Sequence, residues 1–178
     1  MSRSFLAAVL LALALPGLAL AATTKGTPGD DTLTGTPGAD RIFGKAGNDK
    51  IDALAGKDLV FGGRGDDTVV GGADNDRLHG GRGKDTLTGG DGNDRIRAGH
   101  GTDKVDAGAG DDRVNVRDRE ADTVDCGAGD DRVIADKADT LTGCEHQKVR
   151  GVHPKPHPKP KPPKPHHPKP KHPKPHHP

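Results

Sequence analysis

Aspartate is the residue whose spacing in this chain points to chemistry. Ten aspartates follow one another at intervals of nine residues, and each is followed two positions later by an aliphatic residue. They are Asp31, Asp40, Asp49, Asp58, Asp67, Asp76, Asp85, Asp94, Asp103 and Asp112. Carboxylates that recur at a fixed interval suit the binding of several hard cations, because such ions prefer oxygen ligands.

The residues around each aspartate predict the elements that position it. Glycine recurs at positions one, two and four of the repeat, where it permits the left-handed torsions of a tight turn, so the first six residues predict a turn. The last three, such as residues 68–70, predict a short strand whose middle side chain points inward. Two repeats then form one coil. The inward residues are Leu33, Ile42, Ile51, Val60, Val69, Leu78, Leu87, Ile96, Val105 and Val114.

Stacked coils bring like charges together. Asp49 and Asp67 would lie on adjacent coils, about 4.8 Å apart if the coils pair as strands do. Such a pair repels by roughly 3 kcal/mol at an effective dielectric near 20, so a cation is needed between the carboxylates. Carboxylate and carbonyl oxygens suit Ca²⁺, and the repeats offer no competing set of thiols or imidazoles. Two columns of aspartates could hold up to about eight ions.

The repeats also resemble a known family. Segments such as GGRGDDTVV (62–70) and GGDGNDRIR (89–97) are similar to the RTX, or haemolysin-type, nonapeptide GGxGxDxUx, in which U is a large aliphatic residue. The strict repeats cover 26–115. This resemblance implies an all-β fold, a right-handed parallel β-roll (a β-solenoid), that binds calcium. The second glycine is replaced by Thr27, Thr36, Lys45 and Leu54, and the fourth by Asp74. We expect weaker or distorted sites there.

Irregular repeats follow at 116–152. The register shifts by one residue after Asn115, and we predict Asp122 and Asp131 as further metal ligands; it shortens again at Asp139. Cys126 and Cys144 are eighteen residues apart, one coil if the roll persists. We predict a disulfide between them that staples the open C-terminal edge, as suits an exported protein. A metal-binding pair and a redox couple are the alternatives.

Composition divides the chain into three regions. Residues 1–21 contain Arg3, an apolar run and a small-residue cleavage triplet, which predicts a cleaved signal peptide and a secreted protein. The repeat domain is predicted at 22–152 and a tail at 153–178. Of 27 Lys and Arg residues, seven lie in the tail and one in the leader, against 26 Asp and Glu in all. Residues 4–152 therefore carry −7 and the tail +7.

The tail contains only His, Lys and Pro, which predicts a disordered, extended polyproline II segment. One interpretation is electrostatic tethering to an anionic wall polymer, lipid head group or nucleic acid. The others are transition-metal binding through paired histidines (166–167, 176–177) and an inert spacer. We favour an anionic cell-wall or extracellular polymer over nucleic acid, and we expect no transmembrane segment.

The outward positions differ between the two predicted sheets. One carries Arg41/Phe43, Leu59/Phe61, Arg77/His79, Arg95/Arg97 and Arg113/Asn115. We expect this basic face to be solvated, with a polyanion or carbohydrate contact as the alternative. The other carries Thr32/Thr34, Lys50/Asp52, Thr68/Val70, Thr86/Thr88 and Lys104/Asp106. Threonine ladders resemble ice-binding surfaces, so an adhesive or ice-binding face is the alternative function.

Catalysis is not expected. Serine occurs only in the leader, tyrosine is absent, and no third cysteine exists, so few nucleophiles are available. His79, His100 and His146 are isolated in sequence, and the periodicity of the aspartates assigns them to metal. The sequence therefore predicts a secreted calcium-binding protein without a small-molecule substrate, which folds when calcium binds and associates with a cell surface or extracellular polymer through its tail.

Overall fold

The computed structural model describes residues 20–150 of the chain. Most of the predicted leader and all of the predicted tail therefore lie outside the described residues. Within them, every regular element is a β-strand, and no helix is long and apolar enough to cross a membrane. The prediction of an all-β solenoid is confirmed.

Strands alternate between two parallel sheets as the described chain winds. The eight-stranded sheet contains β1 (Thr23–Lys25), β3 (Arg41–Ala46), β5 (Leu59–Arg64), β7 (Arg77–Arg82), β9 (Arg95–His100), β11 (Arg113–Asn115), β13 (Arg132–Asp136) and β15 (His146–Arg150). The seven-stranded sheet contains β2 (Thr32–Thr34), β4 (Lys50–Asp52), β6 (Thr68–Ala73), β8 (Thr86–Asp91), β10 (Lys104–Ala109), β12 (Thr123–Asp125) and β14 (Thr140–Thr142). Each coil thus contributes one strand to each sheet.

The pairing register follows the nonapeptide. Residues eighteen apart face one another through most of the roll, as Thr68 faces Thr86 and Arg77 faces Arg95. After Asn115 the separation becomes nineteen, with Lys104 opposite Thr123. It then shortens, and Arg132 pairs with His146. The predicted shift and shortening of the register are both found in the structure.

The core is a double row of aliphatic side chains between the sheets. All ten predicted inward residues are buried, and the rows continue through Val124 and Val133. Burying a Val, Leu or Ile side chain stabilises a protein by roughly 1.5–3 kcal/mol, so each coil gains one such increment from each sheet. The core is only two side chains wide at each level. Interactions in the turns must therefore supply the rest of the stabilising free energy.

The turns are shorter than predicted, because several strands extend through position three of the following repeat, as in β7. From the third repeat of the strict block onward, position two has a left-handed backbone: Gly81 has φ +130°, and a Cβ there would lie 2.1 Å from the carbonyl oxygen of Gly63. Lys45, Leu54 and Asp74 adopt positive φ without being glycine, so the backbone of the turn is the same where these residues replace glycine. Glycines at position one have no positive φ, and the predicted torsional role is wrong for them.

The C-terminal coils are joined covalently. Cys126 and Cys144 form a disulfide, with 5.2 Å between their Cα atoms. The bond links the segments that follow β12 and precede β15, and Cys126 is fully buried against the core. A cross-link here restrains the coils in which the nonapeptide register has been lost.

We predict that Cys126→Ala with Cys144→Ala loosens the C-terminal coils selectively. Closing a loop of this size is worth about 3 kcal/mol through the unfolded state. Hydrogen exchange of calcium-saturated protein should therefore be faster in β12 and β14 and unchanged in β4 and β6. Equal protection of β12 and β14 in the variant and the parent would contradict a stapling role.

Candidate metal centre

The structure stacks the predicted ligands in two buried columns, one at each turn of the roll. One column contains Asp31, Asp49, Asp67, Asp85, Asp103 and Asp122, and the other Asp40, Asp58, Asp76, Asp94, Asp112 and Asp131. Within each column the backbone N–H of one aspartate donates to Oδ1 of the aspartate one coil further on, at 2.7–2.9 Å. This hydrogen-bond ladder fixes the orientation of every carboxylate after the first two.

The second carboxylate oxygen is the chemically unusual atom. In ten of the aspartates Oδ2 is buried and has no hydrogen-bond partner within the described part of the chain; these are Asp49, Asp58, Asp67, Asp76, Asp85, Asp94, Asp103, Asp112, Asp122 and Asp131. A buried polar atom left without a partner costs about 1–3 kcal/mol, and more when it is charged. An array of such oxygens is therefore costly unless cations reach them.

Backbone carbonyls converge on the same oxygens. A carbon added at Gly62 would lie 2.4 Å from Asp67 Oδ2 and 2.8 Å from the carbonyl oxygen of Gly80. The glycine at position one thus leaves open a space in which a carboxylate and the carbonyl of the next coil meet. Alanine stands at this position in three repeats, as Ala53, Ala98 and Ala107, all buried, so a methyl group takes up the corresponding space there.

Burial dominates the electrostatics of the columns. Desolvation raises the pKa of Asp76, Asp85, Asp112 and Asp122 from the ordinary 3.8 to about 7, and those of Asp58, Asp67 and Asp94 to about 6. The backbone hydrogen bond to each carboxylate opposes this effect, and for most of them the neighbouring aspartates add to it. In the calcium-free columns the carboxyls therefore stay protonated to higher pH than an ordinary aspartate, and a bound cation would oppose that shift.

The donor set fits a hard cation. No group of three or more His, Cys, Asp or Glu side chains that could hold a metal ion occurs in residues 20–150. Side-chain carboxylates must therefore be supplemented by backbone carbonyls, such as that of Gly80 beside Asp67. Ligand sets made entirely of carboxylate and carbonyl oxygens suit Ca²⁺ and not the metals that prefer imidazole or thiolate.

Comparison with known protein families agrees with this chemistry. The model of the RTX calcium-binding nonapeptide repeat matches residues 25–60, 54–87 and 79–114, which together span half of the chain. The chain belongs to this family. None of the curated proteins compared with it matches. RTX repeats bind calcium, and in this RTX chain the two columns bring together the oxygen atoms that would hold it.

The first RTX coil differs from the others. Thr27 donates to Asp31 Oδ2 from its backbone N–H at 2.5 Å and from its hydroxyl at 3.1 Å. In the second repeat, the N–H of Thr36 donates to Asp40 Oδ2 at 2.5 Å and its hydroxyl to Oδ1 at 3.0 Å. These two predicted ligands are thus supplied with donors by the threonines that replace glycine at position two.

The columns extend beyond the predicted set. Asp122 N–H donates to Asp139 Oδ1 at 3.2 Å, and Asp131 N–H donates to Glu145 Oε2 at 3.1 Å. Asp139 and Glu145 therefore end the two ladders, although neither was predicted as a ligand. Asp139 lies two residues before Leu141, as the column aspartates lie before their aliphatic residues, and this spacing could have identified it. Glu145 lies only fourteen residues after Asp131, so periodicity could not identify it. The role of all these carboxylates as calcium ligands remains a prediction.

We predict that Asp67→Asn lowers the number of calcium ions bound by disturbing the sites on both sides of it. Asn keeps an oxygen that can accept from Asp49 N–H but removes the charge of the unpartnered Oδ2. Calorimetric titration measures the stoichiometry. The matched control is Asp66→Asn, because Asp66 is exposed and its Oδ1 accepts from Lys84 N–H, as Asn48 Oδ1 does from Asp66 N–H. Unchanged stoichiometry in Asp67→Asn would contradict the stacking scheme.

We also predict that protons and calcium compete. Because the folded pKa values of seven column aspartates are raised to about 6–7, protonation stabilises the calcium-free roll fully below about pH 4, and this contribution is lost as the pH rises through 7. In the presence of chelator, circular dichroism should show more strand at pH 4 than at pH 8. Apparent calcium affinity should fall between pH 7.5 and 5.5, with proton release on binding. Identical affinity at both values would refute this coupling.

Proposed function

We propose that this RTX protein is a secreted, non-enzymatic calcium binder whose repeat region folds when calcium binds. The observation that carries the proposal is the set of ten buried Oδ2 atoms without partners. Oxygens of this kind in two continuous columns destabilise the metal-free roll at neutral pH, and cations that bind only the folded state add their binding energy to folding. Several ions are needed, because the unpartnered oxygens recur on every coil after the first.

Secretion would bring the chain into conditions that favour calcium-dependent folding. The proposed signal peptide, 1–21, lies almost wholly outside the described residues, and its composition supports secretion. The disulfide between Cys126 and Cys144 is typical of proteins that mature in an oxidising compartment. External calcium is usually far higher than internal calcium, so the chain would remain unfolded during export and fold outside.

The tail, 153–178, is proposed to hold the folded roll at an anionic cell-wall or extracellular polymer. It lies outside the described residues, and the support comes from its charge: seven lysines and no acid against a net −7 in residues 4–152. Clusters of cationic side chains attract polyanions in a salt-dependent manner. Domain boundaries at 22 and 153 belong to the same proposal.

An adhesive or ice-binding surface is the second candidate function. The register aligns Thr68 with Thr86 and Thr123 with Thr140 on the seven-stranded sheet. Lys50 and Lys104 lie in the same row of the seven-stranded sheet and interrupt the run of threonines. Binding through this face would depend on the roll, whereas tethering depends on the tail, so the two functions are separable.

The calcium-dependent fold is tested by titrating the chain that begins at Ala22 with Ca²⁺, with Mg²⁺ as the control. Circular dichroism should show a cooperative gain of strand with Ca²⁺ and none with Mg²⁺, because Mg²⁺ demands stricter geometry and keeps its waters. Calorimetry on the same sample should give several ions. A chain that is already folded in chelator at neutral pH, or that binds no calcium, would overturn the proposal.

The tethering function is tested with a tail-neutral variant, in which glutamine replaces the seven lysines, Lys155, Lys159, Lys161, Lys164, Lys169, Lys171 and Lys174. We expect full-length protein to be retained on cell envelopes at low salt and the tail-neutral variant to be lost, while both bind calcium equally. Equal retention of the two proteins would rule out tethering by the tail and favour a surface on the roll.

A further inference from the structure

A row of arginines crosses the outer face of the eight-stranded sheet. Arg77, Arg95, Arg113 and Arg132 lie on β7, β9, β11 and β13, and each is the direct pairing partner of the next. All four are exposed. Neighbouring strands are about 4.8 Å apart, so the backbone positions of the four arginines form a straight, closely spaced row along the roll axis.

These arginines have no acidic partner among the described residues. Within residues 20–150, the ion pairs are those of His100 with Asp118, at 3.9 Å, and of His146 with Asp130, at 2.7 Å. The buried aspartate columns lie at the turns and face the interior, so they do not neutralise the row. Like charges on neighbouring strands repel one another, and a polymer carrying negative charges would relieve that repulsion.

A groove runs beside the row. Gly63, Gly81 and Gly99 face one another on β5, β7 and β9, so three successive strands present no side chain at this level. The part of the groove over Gly81 and Gly99 has a volume of about 370 Å³ and is lined by His79, Arg97, His100 and Arg117. Because the glycines are aligned across strands, the groove points along the roll axis, in the same direction as the row.

A second depression connects the groove to the row. It has a volume of about 210 Å³ and lies among Arg77, Arg95 and Arg113 on one side and His79 and Arg97 on the other. Arg97 occupies the position next to Arg95 on the exposed side of β9. We define the arginine face as Arg77, Arg95, Arg97, Arg113 and Arg132. An extended chain lying along the axis would meet a guanidinium at every coil from β7 to β13.

Two possible ligands of the arginine face are disfavoured, one by its charge and the other by the arrangement of the aromatic rings. The chain's own tail carries +7 and would be repelled. Proteins that bind single-stranded nucleic acid combine a positive groove with aromatic faces on which the bases stack. The rings of Phe43, Phe61 and His79 are stacked on one another, with centroids 5.3 and 4.7 Å apart and planes within 10° of parallel. Their faces are therefore largely covered, and the polymer that fits is one recognised by charge and extended shape alone.

We propose that the arginine face binds a linear anionic polysaccharide whose sugar rings carry carboxylates, with the polymer lying along the roll axis. Guanidinium groups bind carboxylates through two parallel hydrogen bonds, which gives specificity as well as attraction. A polymer with a carboxylate on every ring presents negative charges at regular intervals, as the arginine face presents one positive charge or more on each of four successive strands. This inference rests on the proposed function only in requiring the calcium-loaded roll.

The test uses the full-length tail-neutral variant, saturated with calcium, and a short oligogalacturonate as the probe. Calorimetry at constant free calcium should show binding that weakens as salt is raised. Arg95→Gln with Arg113→Gln should raise the dissociation constant by about tenfold. Arg77→Gln with Arg132→Gln, at the ends of the row, should act in the same direction. The matched control is Lys50→Gln with Lys104→Gln, which removes the same charge from the opposite sheet and should leave binding unchanged.

Three outcomes would overturn the inference. Equal weakening by the arginine and lysine pairs would show an effect of net charge alone. Equal binding of fully methyl-esterified oligogalacturonate, which has the same backbone without charge, would exclude the carboxylates. Tighter binding of a single-stranded oligonucleotide of matched charge through the same arginines would assign the face to nucleic acid. Circular dichroism separates the proposals: failure of the parent protein to fold with calcium refutes the proposed function, whereas arginine variants that fold with calcium and bind the probe as the parent does refute only this inference.

Discussion

The burial of like charges, one above another at the spacing of paired strands, is the constraint on which the structure depends. Each column aspartate after Asp31 and Asp40 uses one oxygen to accept a hydrogen bond from the coil before it and leaves the other oxygen unpartnered. The parallel register keeps these oxygens in line, and glycine at position one leaves space beside them. Fold and ion binding are therefore one property of the repeat, since the alignment that pairs the strands also stacks the carboxylates.

The periodic part of the structure could be predicted from the sequence because one repeat specifies both its strand and its turn. The inward row, the pairing of residues eighteen apart and the two aspartate columns all follow from the interval of nine. Close contacts could not be predicted in this way. The sequence shows glycine at positions one and two alike, but Gly62 leaves a space beside Asp67, whereas Gly81 provides a left-handed torsion.

Departures from the repeat carry less structural information than the repeat itself. Thr27 and Thr36 indicate weaker or distorted sites, which stays a prediction, but the sequence does not show that their amides and hydroxyls donate to Asp31 and Asp40. Glu145 ends a column because the last coil is short, which depends on how the chain closes after β13 and not on any spacing in the sequence. Hydrogen-bond partners depend on side-chain orientation, and composition does not encode that orientation.

The ladder from each backbone N–H to the next Oδ1 makes every coil both a ligand donor and a template for its neighbour. A roll built in this way is a linear array with nearest-neighbour coupling, in which a loaded coil orients the carboxylates of the adjoining one. If calcium folds the roll as proposed, order spreads as a front, and the steepness of its response to calcium grows with the number of coils. Repeat number in such a chain sets the sharpness of a threshold and not merely the capacity for ions.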